Sequence, residues 1–107
     1  MRFYKYLYVQ KELESKKDKI IEKLQQKKIL LNCHIVTLPA TPRNQLEIHS
    51  SKFLFQPGFS TDDLFVVGIV KSHENAVEFV ENLIKDVYNE TKRTDVRSYI
   101  LEKEQEG

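Results

Sequence analysis

The amino-acid sequence predicts a two-layer α+β sandwich, and three observations carry that prediction. Residues 64–70 form an unbroken apolar run, which is typical of a strand buried on both faces. Residues 3–9 form a second short segment dense in aromatic and branched side chains, which favours another strand. Apolar side chains recur at helical spacing in residues 11–28 and again in residues 72–88. Strands and helices that alternate in this way pack as a sheet with helices on it.

The chain begins with a strand and a helix. In the strand over residues 3–9, Tyr4, Tyr6 and Tyr8 share one face because strand side chains alternate. The helix over residues 11–28 is otherwise rich in lysine, and its buried stripe consists of Leu13, Ile20, Ile21 and Leu24.

Two further strands follow. Residues 29–38 are strand-like and end at Pro39, since proline cannot donate a ladder hydrogen bond. Leu46 and Ile48 alternate with polar residues, which predicts a short strand that pairs with the preceding one across the turn at 40–44.

The central strand over residues 64–70 leads into the second helix. Strict alternation places Val66 and Val70 with Gly68 on one face, and we expect a helix to pack on Gly68, with the approach of a ligand there as the alternative. Ser72 is a suitable N-cap for the helix that follows. Residues 96–102 are predicted as a last strand, and residues 103–107 as a frayed tail.

This order is the ferredoxin-like βαββαβ plan, with residues 39–63 inserted between its second and third core strands. In that plan the first and third strands are the central pair, and here they are the two most apolar strands. Both helices are then expected on one sheet face. Residues 1–28, which hold nine Lys/Arg and four Asp/Glu, would lie beside the acidic second helix and be neutralised by it.

Length and composition narrow the class of protein. A chain of 107 residues with 40% hydrophobic content is expected to form a single domain, residues 1–107. The net charge of +1 does not indicate nucleic acid or an anionic membrane as a partner. One cysteine, Cys33, excludes an internal disulfide, and no segment resembles a signal peptide or membrane span. We therefore expect a cytoplasmic protein.

The helix-free face of the predicted sheet is apolar, and such a surface is typical of an interface. Two covers are expected: the aromatic segment at 53–59 folding back, and a second copy of the chain in a two-fold homodimer. The predicted interface residues are Tyr6, Phe53, Phe55, Phe59, Phe65 and Val67. Space left between the sheet and the insertion would form a small-molecule pocket.

Candidate ligand-binding residues lie at two places. Lys71, Ser72 and His73 occupy a strand-to-helix junction, where free backbone N–H groups can bind an anion, although plain capping explains Ser72 equally well. The other candidates are Tyr4, Tyr6, Tyr8 and His34 on the strands.

Neither a metal site nor a catalytic residue is predicted. Cys33 and His34 are adjacent on a strand and point to opposite faces, and no paired Cys or His spacing exists. No cofactor motif is present. The alternative of an enzyme requires a pocket with His34 or His49 and a nearby tyrosine.

The leading functional hypothesis is a small non-enzymatic module that forms a homodimer and binds a protein partner or small ligand. Weak RNA binding is a third alternative, through the stripe Lys16, Lys19, Lys23 and Lys27 together with the tyrosine face.

Overall fold

A computed structural model describes residues 1–39 and 45–106. Within these ranges the protein is a mixed α+β fold with a four-stranded sheet and three α-helices. The strands are β1 (Arg2–Val9), β2 (His34–Leu38), β3 (Glu47–Ser50) and β4 (Phe65–Val70), and the helices are α1 (Lys17–Gln25), α2 (His73–Thr91) and α3 (Val96–Gln105). Short 3-10 segments cover Lys11–Lys16 and Ser51–Phe53. The predicted turn at 40–44 lies outside the described residues.

The strand order in the sheet is β1-β4-β2-β3. β1 runs parallel to β4, while β2 is antiparallel to both β4 and β3. The predicted pairing of β2 with β3 is confirmed, and so is the adjacency of the two most apolar strands. β4 is central, but β1 lies at an edge of the sheet rather than inside it.

The predicted last strand is wrong, because residues 96–105 form α3. Asp95 caps this helix by accepting a hydrogen bond from the Ser98 backbone N–H. Val96 and Ile100 are buried one helical turn apart, whereas Ser98, which would share their face in a strand, is exposed. Without that strand, and with β3 added at the other side, the ferredoxin-like βαββαβ order is not confirmed.

Helices cover both faces of the sheet, and the prediction of two helices on one face is also wrong. α1 packs on one face through Ile20 and Leu24. α2 and α3 pack on the opposite face, where Ala76, Val87 and Ile100 are buried. The lysine-rich α1 is therefore separated by the sheet from the acidic α2, and the two do not neutralise each other side by side. Because both faces carry helices in the described part of the chain, the sheet-to-sheet dimer loses its premise.

The prediction that β4 is covered on both faces is confirmed, since all six of its residues are buried. The side chains do not alternate strictly, however. Val66 and Ile69 face α1, whereas Val67 and Val70 face α2 and α3. The alternation of side chains between the two faces changes at the point where the pairing of β2 with β4 shifts by one residue. Such a shift is typical of a β-bulge.

Gly68 lies at this irregularity and lets a helix approach closely, as predicted. A Cβ atom built on Gly68 would lie 2.7 Å from Cε2 of Phe79 on α2. The missing side chain thus makes room for the Phe79 ring, which stacks in turn on Tyr8 with centroids 4.7 Å apart.

The first helix and second strand are shorter than predicted. Residues 11–16 are 3-10 and only residues 17–25 are α-helical, while β2 begins at His34 rather than residue 29. Asn32 adopts a left-handed backbone (φ 69°), which turns the chain into β2. Among the described helices, none has the length and hydrophobicity needed to cross a bilayer.

Candidate functional site

The outer edge of β3 is the first feature of interest. Ser51 N donates to Cys33 O over 3.0 Å, continuing the ladder between β3 and β2. Because antiparallel residues alternate between facing the partner and facing away, this bond fixes the phase of β3. Ile48 and Ser50 therefore direct their backbone N–H and C=O groups away from β2. No described residue outside the ladder pairs with them.

The aromatic segment that follows β3 is divided between core and surface. Leu54 is fully buried against the α1 side of the sheet, and Phe55 packs beside it. This part of the segment packs on the sheet face that α1 also covers, not on a helix-free face. Phe53 and Phe59 instead remain 55% and 43% exposed. Two large aromatic side chains are thus partly exposed to solvent next to the outer edge of β3.

A shallow groove of about 210 Å³ lies between β3 and this segment, so it is formed within residues 39–63 rather than between them and the rest of the sheet. Its lining comprises Ile48, His49, Ser50, Phe53, Leu54, Gln56 and Phe59. The exposed phenylalanines form its outer part, so the groove is continuous with the strand edge.

His49 is the titratable group in this groove. Its ring lies 5.6 Å from that of Phe59, and Nε2 is buried without a hydrogen-bond partner among the described residues. Burial lowers the pKa of His49, and the Glu47 carboxylate, 3.9 Å from Nε2, opposes that shift. The 3.9 Å separation is too long for a hydrogen bond, so the carboxylate acts only through its charge. No tyrosine lines the groove, and the enzymatic alternative gains no acid–base pair there.

Two predicted ligand residues, His34 and His73, lie close together at one end of the sheet. His34 is opposite Val70 at the end of β4, and its ring lies 6.2 Å from that of His73. Burial is the main cause that lowers the pKa of His34, with the neighbouring His73 adding to it. Nδ1 of His34 is buried without a described partner. The sequence places these two rings 39 positions apart and offers no signal that they meet.

The backbone donors expected to bind an anion at this end are already partly used. Lys71 N donates to Oε1 of Gln10 over 2.9 Å. Ser72 Oγ accepts from Asn75 N and donates to Asn75 Oδ1, which confirms the capping role of Ser72. Gln10 was not singled out by the sequence, because nothing local marks an amide that reaches across 61 residues. The Lys71 N–H group and the Ser72 hydroxyl at this junction therefore already have partners within the chain.

The three tyrosines of β1 do not form one flat platform. Tyr4 is half-buried against Phe65, and burial, helped by Glu104, raises its pKa to about 12. Tyr6 is exposed and meets Tyr4 edge to face at 5.6 Å. Tyr8 is stacked on Phe79 and forms a wall of a cleft of about 280 Å³ between β1 and α2. Amides and carboxylates line the rest of that cleft: Gln10, Asn75, Glu78, Asn82 and Asp86.

The tyrosines and lysines expected to bind RNA do not share one surface in the structure. Tyr4 packs with the α2 and α3 side of the sheet, and Tyr8 stacks on α2 itself. The lysine stripe belongs to α1 and the segments flanking it, on the other side. A single strand of RNA would therefore not reach the tyrosines and the lysines on one face.

Two predicted interface residues are corrected by the fold. Phe65 and Val67 are buried beneath α2 and α3 within the single chain, so they offer no surface to a partner. Tyr6, Phe53 and Phe59 are exposed. Within residues 1–39 and 45–106, no three His, Cys, Asp or Glu side chains are close enough to hold a metal ion together.

Comparisons of the chain with protein-family models, with curated proteins and with solved structures give no match.

Proposed function

We propose that the protein is a non-enzymatic binding module that pairs with a second copy of itself through the edge of β3. The observation that carries this proposal is the coincidence of outward-facing main-chain groups at Ile48 and Ser50 with the exposed rings of Phe53 and Phe59. An unpaired edge is a template for another strand, and exposed aromatic side chains are typical of interface cores.

The geometry favours one register. A two-fold antiparallel arrangement that places Ile48 of one copy opposite Ser50 of the other satisfies both outward residues on each strand. Four main-chain hydrogen bonds form, each worth about 0.5 to 1.5 kcal/mol net. The sheet continues from one copy into the other, and this edge-to-edge pairing takes the place of the face-to-face packing for which the fold leaves no surface.

The aromatic segment supplies the apolar area that a four-residue strand lacks. Phe53 and Phe59 flank the edge on the α1 side of the sheet, and each ring buries more than 100 Å² when fully covered. At about 25 cal/mol per Å² this gain offsets part of the loss of translational and rotational freedom on association. We expect a dissociation constant in the micromolar range, as for interfaces at the small end of the size scale.

The free, buried thiol of Cys33 suits a reducing cytoplasm.

The test is sedimentation velocity at 1 to 100 µM with the variant Ser50→Pro. The backbone of Ser50 has φ −72°, which proline adopts without strain, and the N–H group it removes faces away from β2. We expect the wild type to show a concentration-dependent dimer and Ser50→Pro to remain monomeric with an unchanged circular dichroism spectrum. Ser50→Ala, which keeps the N–H group, is the matched control and retains the dimer.

A second variant examines the apolar part of the surface. Phe53→Ser combined with Phe59→Ser removes two exposed rings and leaves the core intact, so we expect at least a tenfold weaker dimer. A wild-type protein that stays monomeric at 100 µM refutes the proposal. So does a Ser50→Pro protein that dimerises as tightly as the wild type.

A further inference from the structure

A cavity of about 180 Å³ that opens to solvent lies between α1 and the segment that follows it. Apolar side chains form its floor and one wall: Leu13, Ile20, Leu30 and Leu31. Three lysines, Lys16, Lys19 and Lys23, form the rim, and Asn32 and Cys33 close one end. The cavity therefore combines a hydrocarbon interior with a cationic mouth.

The chain builds this cavity by doubling back after α1. Lys28 N donates to Lys23 O over 2.9 Å and Lys27 N to Leu24 O over 3.1 Å, which is the Schellman pattern of helix termination. Lys27 takes the left-handed backbone that the motif requires (φ 58°). The returning segment then buries Leu30 but leaves Leu31 63% exposed at the cavity wall.

The rim lysines have no anionic partner. The ammonium groups of Lys16, Lys19 and Lys23 form no ion pair or hydrogen bond with any residue in the described ranges, whereas Nζ of nearby Lys27 lies 3.6 Å from Oδ1 of Asp62. Their spacing of three and four residues places the ammonium groups on one side of the helix. Three like charges that converge beside a low-dielectric floor attract an anion more strongly than scattered surface lysines do.

We propose that this cavity binds a small amphiphilic carboxylate, whose apolar body contacts the floor and whose carboxylate meets the lysine rim. Its size sets the body: apolar cavities of about 150 Å³ hold a benzene molecule, so a single ring or a chain of about six carbons fits. A bound hydrocarbon also covers the exposed side of Leu31, which water now contacts. The site does not depend on self-association of the chain.

The first experiment titrates hexanoate and benzoate into the protein and follows backbone amide shifts by NMR. We expect saturable shifts in residues 16–23 and 30–33. The triple variant Lys16→Gln, Lys19→Gln and Lys23→Gln should bind about tenfold or more weakly, because it removes the charged donors. The matched control is Lys11→Gln, Lys17→Gln and Lys28→Gln, which changes the net charge equally outside the cavity lining and should bind as the wild type does.

Ligand chemistry and a pair of aliphatic variants complete the test. Hexanol should bind at least tenfold more weakly than hexanoate, and hexylamine should produce no saturable shifts. Leu31→Ser should weaken hexanoate binding severalfold, whereas Ile29→Ser should not, although Ile29 is equally exposed at 68% and lies only two residues away.

Three outcomes overturn the proposal. If the rim variant and the control variant lose the same affinity for hexanoate, the effect comes from the overall charge of the protein and not from a defined site. Equal binding of hexanoate and hexanol would remove the role of the rim. Binding to anionic phosphatidylserine vesicles that depends equally on Ile29 and Leu31, without saturable hexanoate binding, would replace the cavity by a membrane-binding surface.

Discussion

The two edge strands of the sheet, β1 and β3, differ in how far other residues cover them and in how regular their pairing is. At the β1 edge, α3 lies against the strand, and the carboxylate of Glu104 accepts a hydrogen bond from Lys5 N at 2.7 Å. Lys5 Nζ donates in addition to the Glu106 carbonyl. The register of β1 with β4 jumps from Phe3 to Tyr8, so four residues of β1 face a single residue of β4. This edge is covered and irregular, which prevents another strand from pairing along it.

In the described part of the chain, the β3 edge has neither the helix cover nor the irregular register found at the β1 edge. Its ladder with β2 is regular over four residue pairs, and no described helix lies outside it. Phe53 and Phe59 add exposed apolar area where the β1 edge has a charged helix end. A ten-residue helix thus covers one edge, whereas no helix in the described ranges covers the other.

The largest expected effect comes from weakening the helix that covers the β1 edge. Ile100 is 0% exposed in the core between α3 and the sheet. Ile100→Ala removes buried methyl groups and leaves a cavity, so we expect the free energy of unfolding to fall by about 3 kcal/mol in urea denaturation. Glu102→Ala, on the exposed side of the same helix, should change it by less than about 0.5 kcal/mol. A loss below about 1 kcal/mol for Ile100→Ala would mean that α3 is not an integral part of the fold.

The sequence predicts the centre of the molecule better than its edges. Residues 64–70 are read correctly as a strand covered on both faces because seven apolar residues leave no polar side for water. The cap at Ser72 and the pairing of β2 with β3 are also correct. Each of these features is encoded within a few neighbouring residues.

The predicted last strand is wrong because its apolar residues suit two kinds of element. Val96, Tyr99, Ile100 and Leu101 include the branched and aromatic side chains that favour a strand, and the strand prediction rests on them. Val96 and Ile100, four residues apart, share a face in either element, but Asp95 lies immediately before them at the position of a helix N-cap. That cap is the local signal that favours α3.

Other features lie beyond any local pattern. An amphipathic helix needs an apolar surface to cover, but its sequence does not specify which face of the sheet provides it, so α1 and α2 were placed together. For the candidate site, the excess of aromatic residues at 53–59 predicts Phe53 and Phe59 as interface residues, and both are exposed in the structure. The role of Ile48 and Ser50 follows only from the strand order, which makes β3 an edge.

An intermediate effect is expected from opening the β1 edge directly. Glu104→Ala removes the acceptor for Lys5 N, and solvent partly replaces it because the bond is exposed. We expect a loss of about 1 kcal/mol and faster hydrogen exchange at the Lys5 amide. Glu104→Gln retains a side-chain oxygen and should restore much of the protection.

The same hydrogen-exchange measurement compares the two edges in one sample. In dilute wild-type protein the Lys5 amide should exchange more slowly than the outward amides of Ile48 and Ser50. At high concentration the latter two should become protected. If all three amides exchange equally fast at both concentrations, the contrast between a covered and an open edge is wrong.

The smallest expected effect is a pH dependence at the β3 edge. Burial lowers the pKa of His49 in the folded chain below its ordinary value of about 6.5, so the unfolded chain binds more protons between the two pKa values. Stability should therefore decrease as the pH falls through 6.5 and level off below the folded pKa. His34 contributes in the same direction. In urea denaturation between pH 7.5 and 5.0, His49→Gln should flatten this decrease by a few tenths of a kcal/mol, and the variant combining it with His34→Gln should flatten it further. A wild-type protein that gains stability on acidification over this range would contradict the burial of both rings in uncharged form.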